Sequence, residues 1–263
     1  MLLTIDVGNT ETKLGCFEDG SERLSHTWRV TTERRRTADE YGVFLTQLFA
    51  TAGLRPAEVE AVVAASVVPP LDPVLEQACR RFFNVTPVFF KAHRQNLMTV
   101  VTERPNEVGA DLVAAAIGAR ELYGAPLVVI SYGTATVFMA ISAAGEYLGV
   151  AIAPGINISV DALVGRTAKL PEIALEAPGQ AIGRDTISAL QSGIVYGFVG
   201  QTEAMIARFR KELGANARTV ATGGLAETLA RHTDAIDEVN PHLSLLGLRS
   251  FYRLSHQAIT RAR

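Results

Sequence analysis

Residues 2–10 read Leu-Leu-Thr-Ile-Asp-Val-Gly-Asn-Thr, and 125 positions later residues 127–135 read Leu-Val-Val-Ile-Ser-Tyr-Gly-Thr-Ala. Each stretch is predicted to be a buried strand that turns at a glycine. The next turn glycines, Gly20 and Gly145, coincide at the same shift. This agreement predicts an internal duplication into residues 1–115 and 116–263, with chance matching of hairpin glycines as the alternative.

Both predicted halves open with a three-strand meander and continue with strands that alternate with helices. Thr37-Ala38-Asp39-Glu40 has the capping-box pattern that begins a helix. The uncharged stretch 122–145 is long enough to cross a bilayer as a helix, but its glycines and proline favour two buried strands. Strands are predicted at 2–6, 12–17, 22–30, 60–68, 85–90 and 218–221, with helices ending near 52, 83, 123, 162 and 213 and an amphipathic segment from 242. This alternation is typical of an α/β fold.

The composition indicates a globular protein without a strong overall charge. Lys and Arg total 25 against 27 Asp and Glu, so the net charge is -2 and no overall field attracts nucleic acid or an anionic membrane. Cys16 and Cys79 lack the spacing of a disulfide framework or a zinc site. Asp6 interrupts the N-terminus, which has no signal-peptide pattern. We therefore expect a cytoplasmic protein that binds small molecules, and neither nucleic acid nor a membrane.

Three glycine-containing turns have the composition of phosphate-binding or nucleoside-binding loops. In Asp6-x-Gly8-Asn9-Thr10 with Lys13, the turn exposes backbone N–H groups to a phosphate, and the carboxylate can hold Mg²⁺. Gly133-Thr134-Ala135-Thr136 lies at the same place in the second half and adds hydroxyl groups. In Ala221-Thr222-Gly223-Gly224-Leu225, glycine lets a nucleoside lie against the backbone. Each motif alone also fits a plain hairpin or turn, and their order along a duplicated chain favours a nucleotide site.

Motifs along almost the whole chain resemble those of the bacterial type III pantothenate kinases. They are Asp6-Val7-Gly8-Asn9-Thr10, Thr37-Ala38-Asp39-Glu40-Tyr41, Ser66-Val67-Val68-Pro69-Pro70, Glu107-Val108-Gly109-Ala110-Asp111, Gly133-Thr134-Ala135-Thr136, Ile152-Ala153-Pro154-Gly155-Ile156, Gln191-Ser192-Gly193-Ile194-Val195-Tyr196-Gly197 and Ala221-Thr222-Gly223-Gly224-Leu225. The resemblance implies duplicated actin-like (ribonuclease H-like) halves, each flanked by helices, and a homodimer. It also implies transfer of the ATP γ-phosphate to pantothenate, the first step of coenzyme A synthesis, with Mg²⁺ and a monovalent cation (K⁺ or NH₄⁺).

The resemblance also implies residue roles. Asp111 is expected to be the general base, although by itself an acid at this place in a helix is more often a cap or a surface group. The expected ATP-binding residues are Asp6 (also for Mg²⁺), Val7, Gly8, Asn9, Thr10, Lys13, Gly133, Thr134, Gly223 and Gly224. The expected pantothenate-binding residues are Thr102, Gly109, Ala110, Asp111, Leu112 and Thr186.

This sequence departs from the family pattern on the acceptor and cation sides. Ser131 stands where the family has the aspartate that binds the monovalent cation, and Leu112 stands where it has an arginine that helps to hold pantothenate. Thr102 replaces an aromatic residue, Met139 replaces an acid, and residues 91–96 replace a Pro-Gly-x-Lys-Thr-Gly stretch. Two alternatives therefore stay open: a catalytically altered member that acts as a nucleotide-binding or regulatory protein, and a kinase for another small hydroxyl compound.

Overall fold

The computed structural model describes residues 1–18, 23–167 and 170–261, and the side chains of 256–261 are outside this description. The predicted turn at Asp19-Gly20 therefore lies outside the described residues. The elements are β1 (Leu2–Val7), β2 (Glu11–Phe17), β3 (Leu24–Thr31), α1 (Ala38–Thr51), β4 (Ala61–Ser66), α2 (Asp72–Phe83), β5 (Val88–Phe89), α3 (Ala110–Tyr123), β6 (Leu127–Tyr132), β7 (Ala135–Ile141), β8 (Tyr147–Pro154), α4 (Ile156–Gly165), α5 (Thr186–Leu213), β9 (Arg218–Gly223), α6 (Ala226–Ala230), β10 (Glu238–Val239) and α7 (Leu243–Arg261).

The first compact unit contains residues 1–98, 103–118 and the chain from Leu243 onward. Its sheet has the order β3-β2-β1-β4-β5, in which the meander is antiparallel and β4 and β5 are parallel to β1. All six residues of β1 are buried because the strand lies in the middle of this sheet. The predicted capping box is confirmed at α1, where Glu40 N–H donates to Thr37 Oγ1 and Thr37 N–H donates to Glu40 Oε2.

The second unit contains residues 99–102 and 119–242 and repeats this topology. Its sheet has the order β8-β7-β6-β9-β10, with an antiparallel meander and with β9 and β10 parallel to β6. Strand order and direction therefore agree element by element between the two sheets. The predicted α/β fold with duplicated halves, each opening with a three-strand meander, is confirmed.

Two details differ from the sequence-based expectations. The last helix, α7, is grouped by its contacts with the first unit, so the contact units do not coincide with residues 1–115 and 116–263; a duplication boundary near 115 stays a prediction. The sequence also predicts that the helix ending near residue 123 begins at Pro105, since proline favours the first helical position, but residues 105–107 form a separate 3₁₀ turn and α3 begins at Ala110. The stretch 122–145 forms the end of α3 and the strands β6 and β7, as the strand interpretation predicted. Among the described residues, no helix combines the length and apolar character needed to cross a membrane.

Candidate active site

The first site residue, Asp6, lies near the end of β1. It is 6% exposed, and its Oδ2 atom accepts a 2.6 Å hydrogen bond from Ser244 Oγ at the start of α7. Its Oδ1 atom is buried and has no hydrogen-bond partner among the described residues. Lys13 is directly opposite Asp6 in the antiparallel register of β1 and β2, so the two side chains lie on the same face of the sheet.

The loop that follows β1 is closed by backbone and hydroxyl groups. Gly8 N–H donates to Glu11 O at 3.0 Å, and a Cβ at position 8 would lie only 2.8 Å from that oxygen, so the turn requires glycine. Thr32 ties the loop to the end of β3, because its Oγ1 donates to Gly8 O and its N–H donates to Thr10 O. Val7, the last residue of β1, is buried. Three hydrogen bonds therefore hold the predicted phosphate loop, one within the loop and two from Thr32.

Arg34 contacts the same loop. Its Nη2 atom donates to Asn9 Oδ1 at 2.8 Å, although the side chain is exposed. In the sequence, the run Arg34-Arg35-Arg36 has two interpretations, a phosphate-binding patch and a solvated segment before a capped helix, of which the second is favoured. The contact with Asn9 depends on the folding of the loop and has no local sequence signal.

Asp111, the expected base, is the second residue of α3 and is only partly exposed. Burial raises the pKa of its carboxyl group to about 6, and the negative charge of Asp6 contributes to this rise. The backbone N–H groups of Leu112 and Asp111, and more weakly the charge of Lys13, act in the opposite direction. A carboxylate with a pKa near neutrality is suited to accept a proton from a substrate hydroxyl group.

Gly109 leaves the space that the Asp111 carboxylate occupies. A Cβ at position 109 would lie 2.5 Å from Asp111 Oδ1 and 3.5 Å from Leu112 Cγ. Ala110, the first residue of α3, is buried, and Leu112 is partly buried. The predicted Gly109–Leu112 segment therefore positions the carboxylate through the local backbone.

Asp6, Lys13 and Asp111 are thus brought together in the first unit, where they interact electrostatically. This set fits Mg²⁺, which binds proteins through one or two carboxylates and otherwise through phosphate oxygens and water. The buried, unpartnered Oδ1 of Asp6 is the atom available to such an ion. Within the described residues, no group of three or more His, Cys, Asp or Glu side chains forms an all-protein metal site.

The second unit brings together two of the other predicted turns. Gly133 N–H donates to Ala135 O, and Thr134 follows in the turn between β6 and β7. Gly223 is paired with Tyr132 across the parallel strands, has a φ of +98°, and would place a Cβ 2.2 Å from Tyr132 O. Gly224 is exposed beside it. Two predicted nucleotide-binding turns therefore lie side by side at the carboxyl ends of β6 and β9.

Ser131, Thr102 and Thr186 also lie in this unit. Ser131 lies in β6 opposite Val137 and Thr222, so its strand neighbours supply a hydroxyl group and no carboxylate. These residues do not fit a monovalent cation bound by an acidic side chain. Thr102 has a buried Oγ1 without a hydrogen-bond partner among the described residues, and Thr186 is the exposed first residue of α5.

The matching sheets, with an acid and a glycine turn at the end of the first strand, define an actin-like (ribonuclease H-like) α/β protein of duplicated design. Two solved structures with this fold are similar to the chain. A conserved putative Baf family transcriptional activator from Campylobacter jejuni has a TM-score of 0.61 and 18% identity, and the match covers 97% of this chain and 99% of that one. An inorganic polyphosphate/ATP-glucomannokinase from Arthrobacter sp. strain KM has a TM-score of 0.52 and 15% identity, and the match covers 97% of this chain and 99% of that one.

The sequence comparisons are more specific. A family model described as type III pantothenate kinase matches residues 2–208. A protein named type III pantothenate kinase from Anaeromyxobacter sp. (strain K) is 50% identical over 249 residues, which cover 95% of this chain and 97% of that protein. The chain belongs to the type III pantothenate kinase family.

Proposed function

We propose that this protein transfers the γ-phosphoryl group of ATP to the hydroxyl group of pantothenate, giving 4′-phosphopantothenate for coenzyme A synthesis. The observation that carries this proposal is the group Asp6, Lys13 and Asp111. It combines a buried carboxylate with a free oxygen, a cation opposite it, and a second carboxylate whose pKa is raised to about 6.

The roles follow from the chemistry of phosphoryl transfer, which requires mainly positioning and charge neutralisation. Asp111 accepts the proton of the pantothenate hydroxyl as the oxygen attacks the γ-phosphorus, whose bond to the β,γ-bridging oxygen breaks and releases ADP. Asp6 would hold Mg²⁺ through its unpartnered Oδ1, and the bound ion would supply positive charge for the phosphate oxygens. Lys13 adds positive charge on the same face of the sheet, and the loop at Gly8 presents backbone N–H groups.

The remaining predicted contacts are assigned on the family resemblance. Thr134, Gly223 and Gly224 contribute to ATP binding, and Thr102, Leu112 and Thr186 contribute to pantothenate binding, with Gly109 and Ala110 supporting Asp111. We assign no step to a monovalent cation, because Ser131 has no carboxylate and its two strand partners, Val137 and Thr222, have none either.

We also propose that the protein works as a homodimer in the cytoplasm. Leu148, Val150 and Ile152 alternate along the edge strand β8, so they lie on one face, and they are 41%, 41% and 68% exposed. An exposed apolar face of this kind is typical of a subunit contact. Cys16 and Cys79 are both buried free thiols, as in proteins of a reducing compartment. Sedimentation of the protein and of Ile152→Asp tests the dimer.

The function is tested by incubating the purified protein with ATP, Mg²⁺ and pantothenate and detecting 4′-phosphopantothenate by mass spectrometry. Asp111→Asn should lower the rate of product formation by about 10² to 10⁴. Asp39→Asn is the matched control, because Asp39 is also the second residue of a 14-residue helix that begins with alanine. Product formation at equal rates by the native protein and Asp111→Asn would contradict the assigned base.

A second candidate is favoured by the replacement of the family arginine by Leu112. If the protein binds ATP with Mg²⁺ but forms no product from pantothenate, it acts as a nucleotide-binding or regulatory protein. If another small hydroxyl compound is phosphorylated instead, the acceptor pocket has changed. A thermal shift with ATP and Mg²⁺, measured beside the product assay, separates these outcomes.

A further inference from the structure

The buried hydrogen bond between Ser244 and Asp6 links the C-terminal helix to the phosphate-binding strand. Ser244 Oγ donates to Asp6 Oδ2 at 2.6 Å, and the two residues are 5% and 6% exposed. This length is typical of a charge-assisted bond between a hydroxyl group and a carboxylate. A buried carboxylate requires such a partner, because burial without hydrogen bonds is strongly unfavourable.

The bond also fixes the direction of the carboxylate. With Oδ2 bound to Ser244, Oδ1 is the oxygen that has no partner among the described residues. Groups that hydrogen-bond to a metal ligand orient it, and their removal commonly weakens metal binding tenfold to a hundredfold. Ser244 has the position of such a group.

The place of Ser244 is determined by close backbone contact between α7 and α3. A Cβ at Gly118 would lie 2.2 Å from Leu243 O, and a Cβ at Gly247 would overlap Ala114 O at 1.8 Å. Leu243, Leu245 and Leu248 of α7 are buried as well. The start of α7 is therefore held against α3, the helix whose second residue is the expected base, and Ser244 cannot shift without disturbing this contact.

We propose that Ser244 is a positioning residue that turns the Asp6 carboxylate so that Oδ1 faces the Mg²⁺ of the bound nucleotide. This inference rests on the proposed ATP-dependent function. It adds a residue from the last helix that acts through Asp6 and does not touch the substrate.

The test measures binding of Mn²⁺, used as a spectroscopic substitute for Mg²⁺, by electron paramagnetic resonance in the presence of a non-hydrolysable ATP analogue. Ser244→Ala should raise the Kd of Mn²⁺ at least about tenfold. Ser244→Cys, which is nearly isosteric and a weaker donor, should raise it by a smaller factor. Ser250→Ala is the matched control, since Ser250 is buried on the same helix and donates to Leu246 O, and it should leave Mn²⁺ binding unchanged.

The outcomes separate this inference from the proposed function. Equal Mn²⁺ affinity, within twofold, for the native protein and a folded Ser244→Ala variant would overturn it. If Ser244→Ala does not fold, native affinity in Ser244→Cys would overturn it as well. Metal binding is measured without turnover, so the two ideas are tested separately. A native protein that binds Mn²⁺ but does not phosphorylate pantothenate contradicts the proposed acceptor. The Mn²⁺ titration of the Ser244 variants still decides whether Ser244 positions Asp6.

Discussion

Replacing Asp111 by asparagine should stabilise the protein while it slows catalysis. The pKa of this carboxyl group rises from 3.8 to about 6, chiefly because the group is buried and also because Asp6 is near. At roughly 1.4 kcal/mol per pKa unit, ionisation of Asp111 lowers the free energy of unfolding by up to about 3 kcal/mol. Asparagine has nearly the same shape and carries no charge, so Asp111→Asn should be about 1 to 3 kcal/mol more stable than the native protein at pH 8.

The stability difference between Asp111→Asn and the native protein should depend on pH with a definite sign. Because the folded-state pKa of Asp111 lies above its unfolded value, the folded protein takes up an extra proton as the pH falls. The stability connected with this proton is fully present below about pH 4 and is lost as the pH rises through about 6. The advantage of Asp111→Asn should therefore be about 1.4 kcal/mol smaller at pH 5 than at pH 8.

Urea denaturation at pH 5 and pH 8, in EDTA and without nucleotide, measures this difference. Asp39→Asn is the control, because Asp39 is exposed, pairs with Arg81 and should lose less than about 1 kcal/mol when neutralised. In parallel, turnover of Asp111→Asn should fall by about 10² to 10⁴, while binding of ATP with Mg²⁺ persists. A variant that is less stable than the native protein at pH 8, or a difference that does not change with pH, would refute the reasoning.

Three other substitutions or conditions test the rest of the site. Gly109→Ala should lower kcat at least about tenfold and leave ATP affinity unchanged, because the new Cβ would displace the Asp111 carboxylate, whereas Gly193→Ala, with open space around it, should have no effect in the same steady-state assay. Activity should depend little on whether K⁺ or a bulky organic cation is present at constant ionic strength, since Ser131 lacks a carboxylate; a steep, saturable K⁺ requirement would contradict this. Leu112→Arg should lower the KM for pantothenate about tenfold by adding a partner for the substrate carboxylate, and an unchanged KM would show that another group already holds it.

Much of the fold could be predicted because its signals are local. The run from Leu2 to Asp6 is apolar enough to indicate a buried strand, and Gly8 marks the turn that follows. The capping box at Thr37 and Glu40 depends on residues three positions apart, so the sequence pattern alone predicts where α1 begins. The matching glycine turns at Gly8 and Gly133 predict the repeated meander from the sequence alone.

The remaining features depend on contacts between distant segments. Ser244 becomes a partner of Asp6 only when α7 packs against α3, and nothing in the sequence around Ser244 indicates this. The same holds for Thr32 and Arg34, which reach the first loop from the end of β3 and beyond. The raised pKa of Asp111 likewise follows from burial beside Asp6 and not from the composition of its own helix.

The two sheets show how a repeated backbone carries different chemistry at equivalent positions. At the shift of 125 residues, Asp6 of β1 corresponds to Ser131 of β6. In the first sheet the residue opposite Asp6 on the next strand is Lys13, whereas the residue opposite Ser131 is Val137. Asp6 and Ser131 occupy equivalent positions near the carboxyl ends of their strands. Only the position of Asp6 combines a buried carboxylate with a cation on the next strand and a hydroxyl donor. The fold therefore determines where these two side chains lie, and the difference between Asp6 and Ser131 places the charged group in the first unit.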